Sequence, residues 1–177
     1  MRGQGGGAIS RFGPCIPLSR LPFYMSDIRF GTDGWRAVIG DAYTFENLTR
    51  VALGTASWLR SLSDSPSIVI GYDTRFLGAE FAHHAARVFG TEGIKVRLAD
   101  SFVTTPAISW ATNEGGHTAG IVITASHNPP KYNGFKIKAS FGGPATPEMI
   151  KAVEAEIPAS GVDYTADSYK DLVAMGT

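Results

Sequence analysis

The 177-residue sequence predicts an α/β fold, a three-layer αβα sandwich built on a mixed, mostly parallel sheet. Three observations carry that expectation. Short apolar runs, Ile68-Val69-Ile70 and Ile121-Val122-Ile123, read as strands, the first of the kind buried on both faces. Longer stretches between them repeat apolar residues at helical spacing. Glycines, prolines and capping residues fall where one period gives way to the other.

Taken in order, Ile28-Arg29-Phe30 is the first strand candidate, ended by the turn-rich Gly31-Thr32-Asp33-Gly34. Thr44 is placed to cap a helix over 44–62, with Glu46 in its first turn and Phe45, Leu48, Ala52, Leu59 and Leu62 on one face. Residues 63–66 break it before the strand at Ile68. The loop Gly71-Tyr72-Asp73-Thr74-Arg75 leads to a second helix that turns Phe81, Ala82, Ala85, Val88 and Phe89 inward and is closed by Gly93. Lys95 to Leu98 is a third strand. Thr105, as N-cap, and Pro106, at the first helical position, open a helix toward Glu114. Ala119 to Ala125 is the most β-prone run of the chain and stops at Ser126-His127-Asn128-Pro129-Pro130. Phe135 to Lys138 alternates as a half-exposed strand that turns back antiparallel. Pro147-Glu148 starts a last helix through Ile150, Val153 and Ile157.

Composition bounds the domain plan and the partners. With 44% hydrophobic residues and 18% charged, the chain has the make-up of one globular domain. Residues 1–24 differ: five glycines, three prolines, three arginines and no acid make them a disordered leader. Residues 25–160 form the α/β/α domain, and 161–177 the start of an interdomain linker or a truncated tail. Without the leader's arginines, 13 basic and 16 acidic residues remain, a mildly acidic surface. No basic block marks a nucleic-acid partner, and no apolar stretch is long enough to enter a membrane. The lone Cys15 cannot form an internal disulfide, which favours a reducing, cytoplasmic location. The leader has neither the amphipathic period of a transit peptide nor the apolar core of a secretory signal.

Reactive groups of open α/β sheets gather at the carboxyl ends of strands, here loops 31–36, 71–78 and 124–134. Ser126 follows a stiff β run and precedes two prolines that hold the backbone extended. Arg36 and Arg75 from the sister loops and Lys136 ten residues on bring positive charge toward that hydroxyl. Such a set fits an anionic group, most simply a phosphoryl. Taken alone, Thr124 to Asn128 also reads as an ordinary polar loop bonding its own backbone.

Thr124-Ala125-Ser126-His127-Asn128-Pro129 with Tyr132-Asn133-Gly134-Phe135-Lys136 resembles the active-site serine loop of the α-D-phosphohexomutases, the phosphoglucomutase/phosphomannomutase group. Phe30-Gly31-Thr32-Asp33-Gly34-Trp35-Arg36-Ala37 is similar to the amino-terminal signature of that family, and Gly71-Tyr72-Asp73-Thr74-Arg75 to its second-loop pattern. The resemblance covers residues 28 to about 160, the first of four domains. It implies that Ser126 carries a phosphoryl group, which is also one ligand of a Mg²⁺, and that Lys136, with His127 beside it, moves the proton of the sugar hydroxyl. Arg36 would steady the transferring phosphoryl. Arg75 and Asp73, with Asn128 and Thr124, would shape the substrate and phosphate pocket. The implied substrates are hexose phosphates, with a glucose 1,6-bisphosphate-type activator. Further Mg²⁺ carboxylates, the sugar-selecting loop and the distal phosphate site are expected from the remaining mutase domains, so the chain is expected to be inactive alone.

Other chemistries fit less well. A serine hydrolase built on Ser126 and His127 lacks a Gly-x-Ser-x-Gly elbow, and neighbouring residues in extended backbone point apart. His83-His84 cannot share one helix face as zinc ligands and is expected on a solvated surface, as is His117. Trp58 and Trp110 are expected in core or interdomain packing, leaving Trp35 at the active rim. No nucleotide-binding glycine motif occurs. The competing non-catalytic reading is a remnant that serves as an interaction module and self-associates through exposed interdomain surface.

Overall fold

The computed structural model describes residues 28–32 and 34–175, so the leader reading at 1–24 lies outside the described residues. The elements in chain order are β1 (Trp35–Val38), α1 (Phe45–Leu62), β2 (Ser67–Tyr72), α2 (Gly78–Thr91), β3 (Lys95–Leu98), α3 (Thr105–Glu114), β4 (Ala119–Ile123), β5 (Tyr132–Ala139), α4 (Pro147–Ala155) and α5 (Tyr169–Met175). They build one five-stranded sheet in the order β1-β5-β4-β2-β3. β4, β2 and β3 pair in parallel, and β5 is antiparallel to both β4 and β1. All strands but β5 therefore run the same way, and β5 turns back as expected; it is not half-exposed, however, because Asn133 to Ala139 are all buried, Lys136 and Lys138 included.

Alternation along the strands divides the core in two. Trp35, Ala37, Ile68, Ile70, Ile121, Ile123, Phe135 and Ile137 face α1, α2 and α4 in one large cluster with Leu48, Val51, Leu59, Phe81, Phe89 and Val153. On the opposite face Val69 and Val122 pack with Ile108 of α3 in a smaller cluster. Two helical layers on a sheet make the sandwich.

The helix starts follow the capping chemistry. The side chain of Thr44 accepts from Asn47 N–H, and that of Thr146 from Met149 N–H, with Pro147 in the first turn. At α3 the cap is Thr104, which accepts from Ala107 N–H, and not Thr105. Two adjacent threonines offer the same hydroxyl. Pro106 is accommodated one position deeper, still within the turn that needs no donor.

The first strand differs from the expectation. Ile28 to Phe30 is not a strand; Gly31 and Gly34 bridge a tight turn, and the strand begins at Trp35. Trp35 and Ala37 face the core while Arg36 and Val38 face away, so part of the expected 31–36 loop is a sheet edge. Trp35 is accordingly buried, stacked on Tyr43 at 4.7 Å, and does not line the rim. Trp58 is core as expected, whereas Trp110 is 68% exposed. His84 is no solvated surface residue either. It meets Thr49 Oγ1 at 2.7 Å and packs on Phe45. His117 is half-buried, with Nδ1 3.2 Å from Ser67 Oγ.

Residues 158–175 lie across α1 and α2. Arg50 donates to Pro158 O, Arg87 donates to Ala166 O and Asp167 O, and Leu172 of α5 is buried against Gly90. Among the described residues no helix is long and apolar enough to cross a membrane.

Candidate active site

β2 and β4 are parallel neighbours paired through Tyr72 and Ile123, so the loops that leave their carboxyl ends meet. Asp73 N–H donates to Ile123 O, and Thr124 N–H donates to Gly134 O of β5. The two loops are then tied side chain to side chain. Thr124 Oγ1 donates to Asp73 Oδ2 at 2.5 Å and accepts from the backbone N–H of Ser126 at 3.0 Å. Asp73 Oδ1 in turn accepts from Arg75 N–H.

At Ser126 the chain leaves extended geometry. Its φ is +57°, and the only other described non-glycine residue at positive φ is Leu77, in the neighbouring loop. The two prolines do not keep Ser126 extended. They follow a left-handed turn in which Asn128 N–H donates back to Ala125 O. Left-handed backbone costs a residue with a Cβ about 1–3 kcal/mol and persists only where its surroundings impose it. Here it lifts Ser126 and His127 to the exposed crest of the loop.

Arg75 supplies much of that constraint. Its Nη1 donates to Pro129 O and Tyr132 O, each at 3.0 Å, and its Nη2 donates to Ser126 O and Asn128 O, each at 2.7 Å. Its Nε lies 3.4 Å from Asp73 Oδ2. Arg36 reaches the same loop from β1, donating to Asn128 Oδ1 at 2.8 Å. Both arginines therefore converge on the serine loop, but through its backbone and Asn128.

Lys136 is buried in β5 opposite Val122, on the sheet face that Arg36 shares by register with Gly134. Its stem crosses Gly34, where a Cβ would stand 2.8 Å from Lys136 Cγ and 2.6 Å from Phe135 O. Gly34, at φ +100°, is thus glycine for two reasons, conformation and space. Gly134 is equally confined: a Cβ there would meet Thr124 O at 2.6 Å and Trp35 O at 2.8 Å. Beneath it the buried Tyr43 hydroxyl donates to Gly134 O. Burial, and next the charge of Asp73, push that phenol well above its ordinary value, so it stays a neutral donor.

Two concavities flank the loop. One is lined by Asp73, Thr74, Arg75, Phe76, Ser126 and Asn128. The other, of about 510 Å³, is lined by Arg29, Gly31, Thr32, Gly34, Arg36 and His127. Ser126 and His127 open on different sides, which is a poor arrangement for a serine–histidine relay. Arg29 and Phe76 are lining residues that sequence reasoning passed over. Arg29 stood in the strand candidate Ile28–Phe30, and its place beside the glycine turn was the only signal.

This sheet topology, with an exposed left-handed serine in a rim loop gripped from two other segments, defines the class of the domain as α/β/α. The profile of the phosphoglucomutase/phosphomannomutase α/β/α domain I matches residues 27–161, and the chain belongs to that family. It is 44% identical over 162 residues to a phosphoglucomutase of Staphylococcus haemolyticus, covering 87% of this chain and 29% of the relative. A phosphoglucomutase of Staphylococcus aureus strain USA300 is 44% identical over 125 residues, or 67% of this chain and 22% of that one. Among solved structures, a Burkholderia thailandensis phosphoglucomutase/phosphomannomutase family protein superposes with a TM-score of 0.65 at 27% identity, over 75% of this chain and 30% of that one. A Thermus thermophilus protein, provisionally assigned as a phosphomannomutase, gives 0.74 at 40% identity, over 77% and 31%. The chain thus spans less than a third of the length of these relatives.

Proposed function

We propose that residues 28–175 present the phosphoryl-carrying serine of a hexose-phosphate mutase, with Ser126 Oγ as the atom that accepts and returns the group. The observation that supports this most is the imposed left-handed turn at Ser126, which holds an exposed serine in the concavity of Asp73 and Arg75, on a loop whose other side faces the concavity of Arg29, Arg36 and His127. Phosphoryl transfer asks mainly for positioning and for cations around the equatorial oxygens. In this reading phospho-Ser126 gives its phosphoryl to a hexose monophosphate, the bisphosphate turns over in place, and the opposite phosphoryl returns to Ser126 Oγ. Arg36 steadies the moving group from β1. Lys136, with His127 beside it, takes or returns the proton of the sugar hydroxyl.

Mg²⁺ belongs to this reading as an ion that neutralises phosphoryl charge, with phospho-Ser126 as one ligand. The described residues do not complete its shell: no group of three or more His, Cys, Asp or Glu gathers among them, and both Asp73 oxygens are already engaged. The ion's carboxylates and the sugar-selecting groups are assigned to the other mutase domains, so residues 1–177 are not expected to turn over substrate alone. The exposed Phe102, Trp110 and Phe141 support packing against such domains or, without them, self-association.

Incubation with glucose 1,6-bisphosphate and intact-mass measurement tests the proposal. One added phosphoryl is expected, absent in Ser126→Ala. An unmodified mass in both proteins, or the same added phosphoryl in both, would overturn it.

A further inference from the structure

Arginine has five N–H donors and no acceptor. In Arg75 four of them serve the carbonyls of Ser126, Asn128, Pro129 and Tyr132, and the fifth, on Nε, faces Asp73 Oδ2. No donor is left over for a phosphoryl oxygen. We propose that Arg75 is a positioning residue for Ser126, holding the left-handed turn that presents the hydroxyl, and not a ligand of the phosphoryl group. The proposal rests on the reading of Ser126 as phosphoryl carrier for its purpose, though not for the clamp itself.

The loop has little else to hold it. Ser126 to Lys131 are exposed or half-buried, so no apolar core fixes the turn. The remaining restraints are the Asp73–Thr124–Ser126 relay, whose Asp73 also meets the Arg75 backbone N–H and Nε, the bond from Arg36 to Asn128, Ile39 N–H on Lys131 O at the loop's far end, and the loop's own bonds from Asn128 N–H to Ala125 O and from Tyr132 N–H to Pro129 O. A planar fork that meets four carbonyls cannot be replaced by an ammonium, whose three donors radiate from one nitrogen. Charge alone should therefore fail to rescue the site.

Arg75→Met and Arg75→Lys in the full chain decide this, with amide hydrogen exchange and phosphoryl loading read together. In both variants exchange at the Asn128 and Tyr132 amides, each bonded within the loop, should accelerate tenfold or more while amides of β2 and β4 keep their rates. The loading rate from glucose 1,6-bisphosphate should fall at least tenfold at an unchanged half-saturating concentration, equally for Met and Lys. Adding Ser126→Gly to Arg75→Met should slow loop exchange again, since glycine holds φ +57° without a clamp. Unchanged loop exchange in Arg75→Met, or loading restored by Lys, would overturn the proposal. Faster loop exchange with no loading even in the unsubstituted chain would uphold the clamp and count against the phosphoserine reading alone. If Arg75→Met does not fold, Arg75→Lys, which keeps the aliphatic stem, is judged by the same exchange criterion.

Discussion

Two surface segments of this domain are held in the same way and to different effect. Arg75 grips four carbonyls of the loop 126–132, and Arg87 grips two of the tail at 166–167. The tail also buries Leu172 against Gly90, so an apolar anchor shares the load. Between Ser126 and Lys131 the serine loop buries no apolar side chain, only part of Asn128, and it carries a strained residue at its crest. The lesson is that arginine-to-carbonyl bonding can reinforce an apolar anchor, as in the tail, or stand in for one, as at Ser126.

Substitutions can break that contrast. The largest effect is expected at Gly34, beside the serine loop, where alanine meets Phe135 O and the Lys136 stem in a backbone conformation that disfavours it. Gly34→Ala should cost about 2–4 kcal/mol in urea unfolding and speed exchange in the serine loop. Leu172→Ala should cost about 2 kcal/mol by the same measurement and loosen residues 158–175. Serine-loop exchange should stay as it was, and a change there would mean that the two segments are coupled. Ser126→Gly relieves the left-handed strain at the expense of a more flexible unfolded chain. A net gain of about 0.5 kcal/mol is expected, and a loss would show that the hydroxyl or its Cβ supports the loop.

The smallest effect is one of pH. Burial, and next the charge of Arg87, lower the pKa of His84 from its ordinary value. The unfolded chain therefore binds the proton first on acidification, and stability falls as pH drops through the ordinary histidine range. Comparing Tm at about pH 7.5 and about pH 5.5, His84→Gln should show a smaller acid loss than the unsubstituted chain. His117, lowered by burial and Arg97, adds a loss of the same sign that survives the substitution.

Much of the frame is legible in the residues because its signals are local. Thr44, Thr146 and the apolar spacing of α1 report helix starts and faces without reference to the rest of the chain. β1 is not legible in that way. Four residues at an edge become a strand only because Phe135, Gly134, Asn133 and Tyr132 lie opposite them. Asn133 and Gly134 hide the start of β5 for a related reason: both are poor strand formers, and Gly134 is required by the closeness of Thr124 and Trp35 backbone. Ser126, Arg36, Arg75 and Lys136 are recognisable from motifs, but what Arg75 does is not. A guanidinium beside a serine suits an anion until the four carbonyls are seen to use its donors.

The order of the strands has a consequence for biosynthesis. β1 joins the sheet only through β5, so Arg36 waits for Asn128, 92 positions later, before it has anything to hold. A nascent chain halted after β4 can assemble the three parallel strands with their helices yet cannot bring Arg36 to Asn128. Among the described strands, the first and the last restrain the serine loop together.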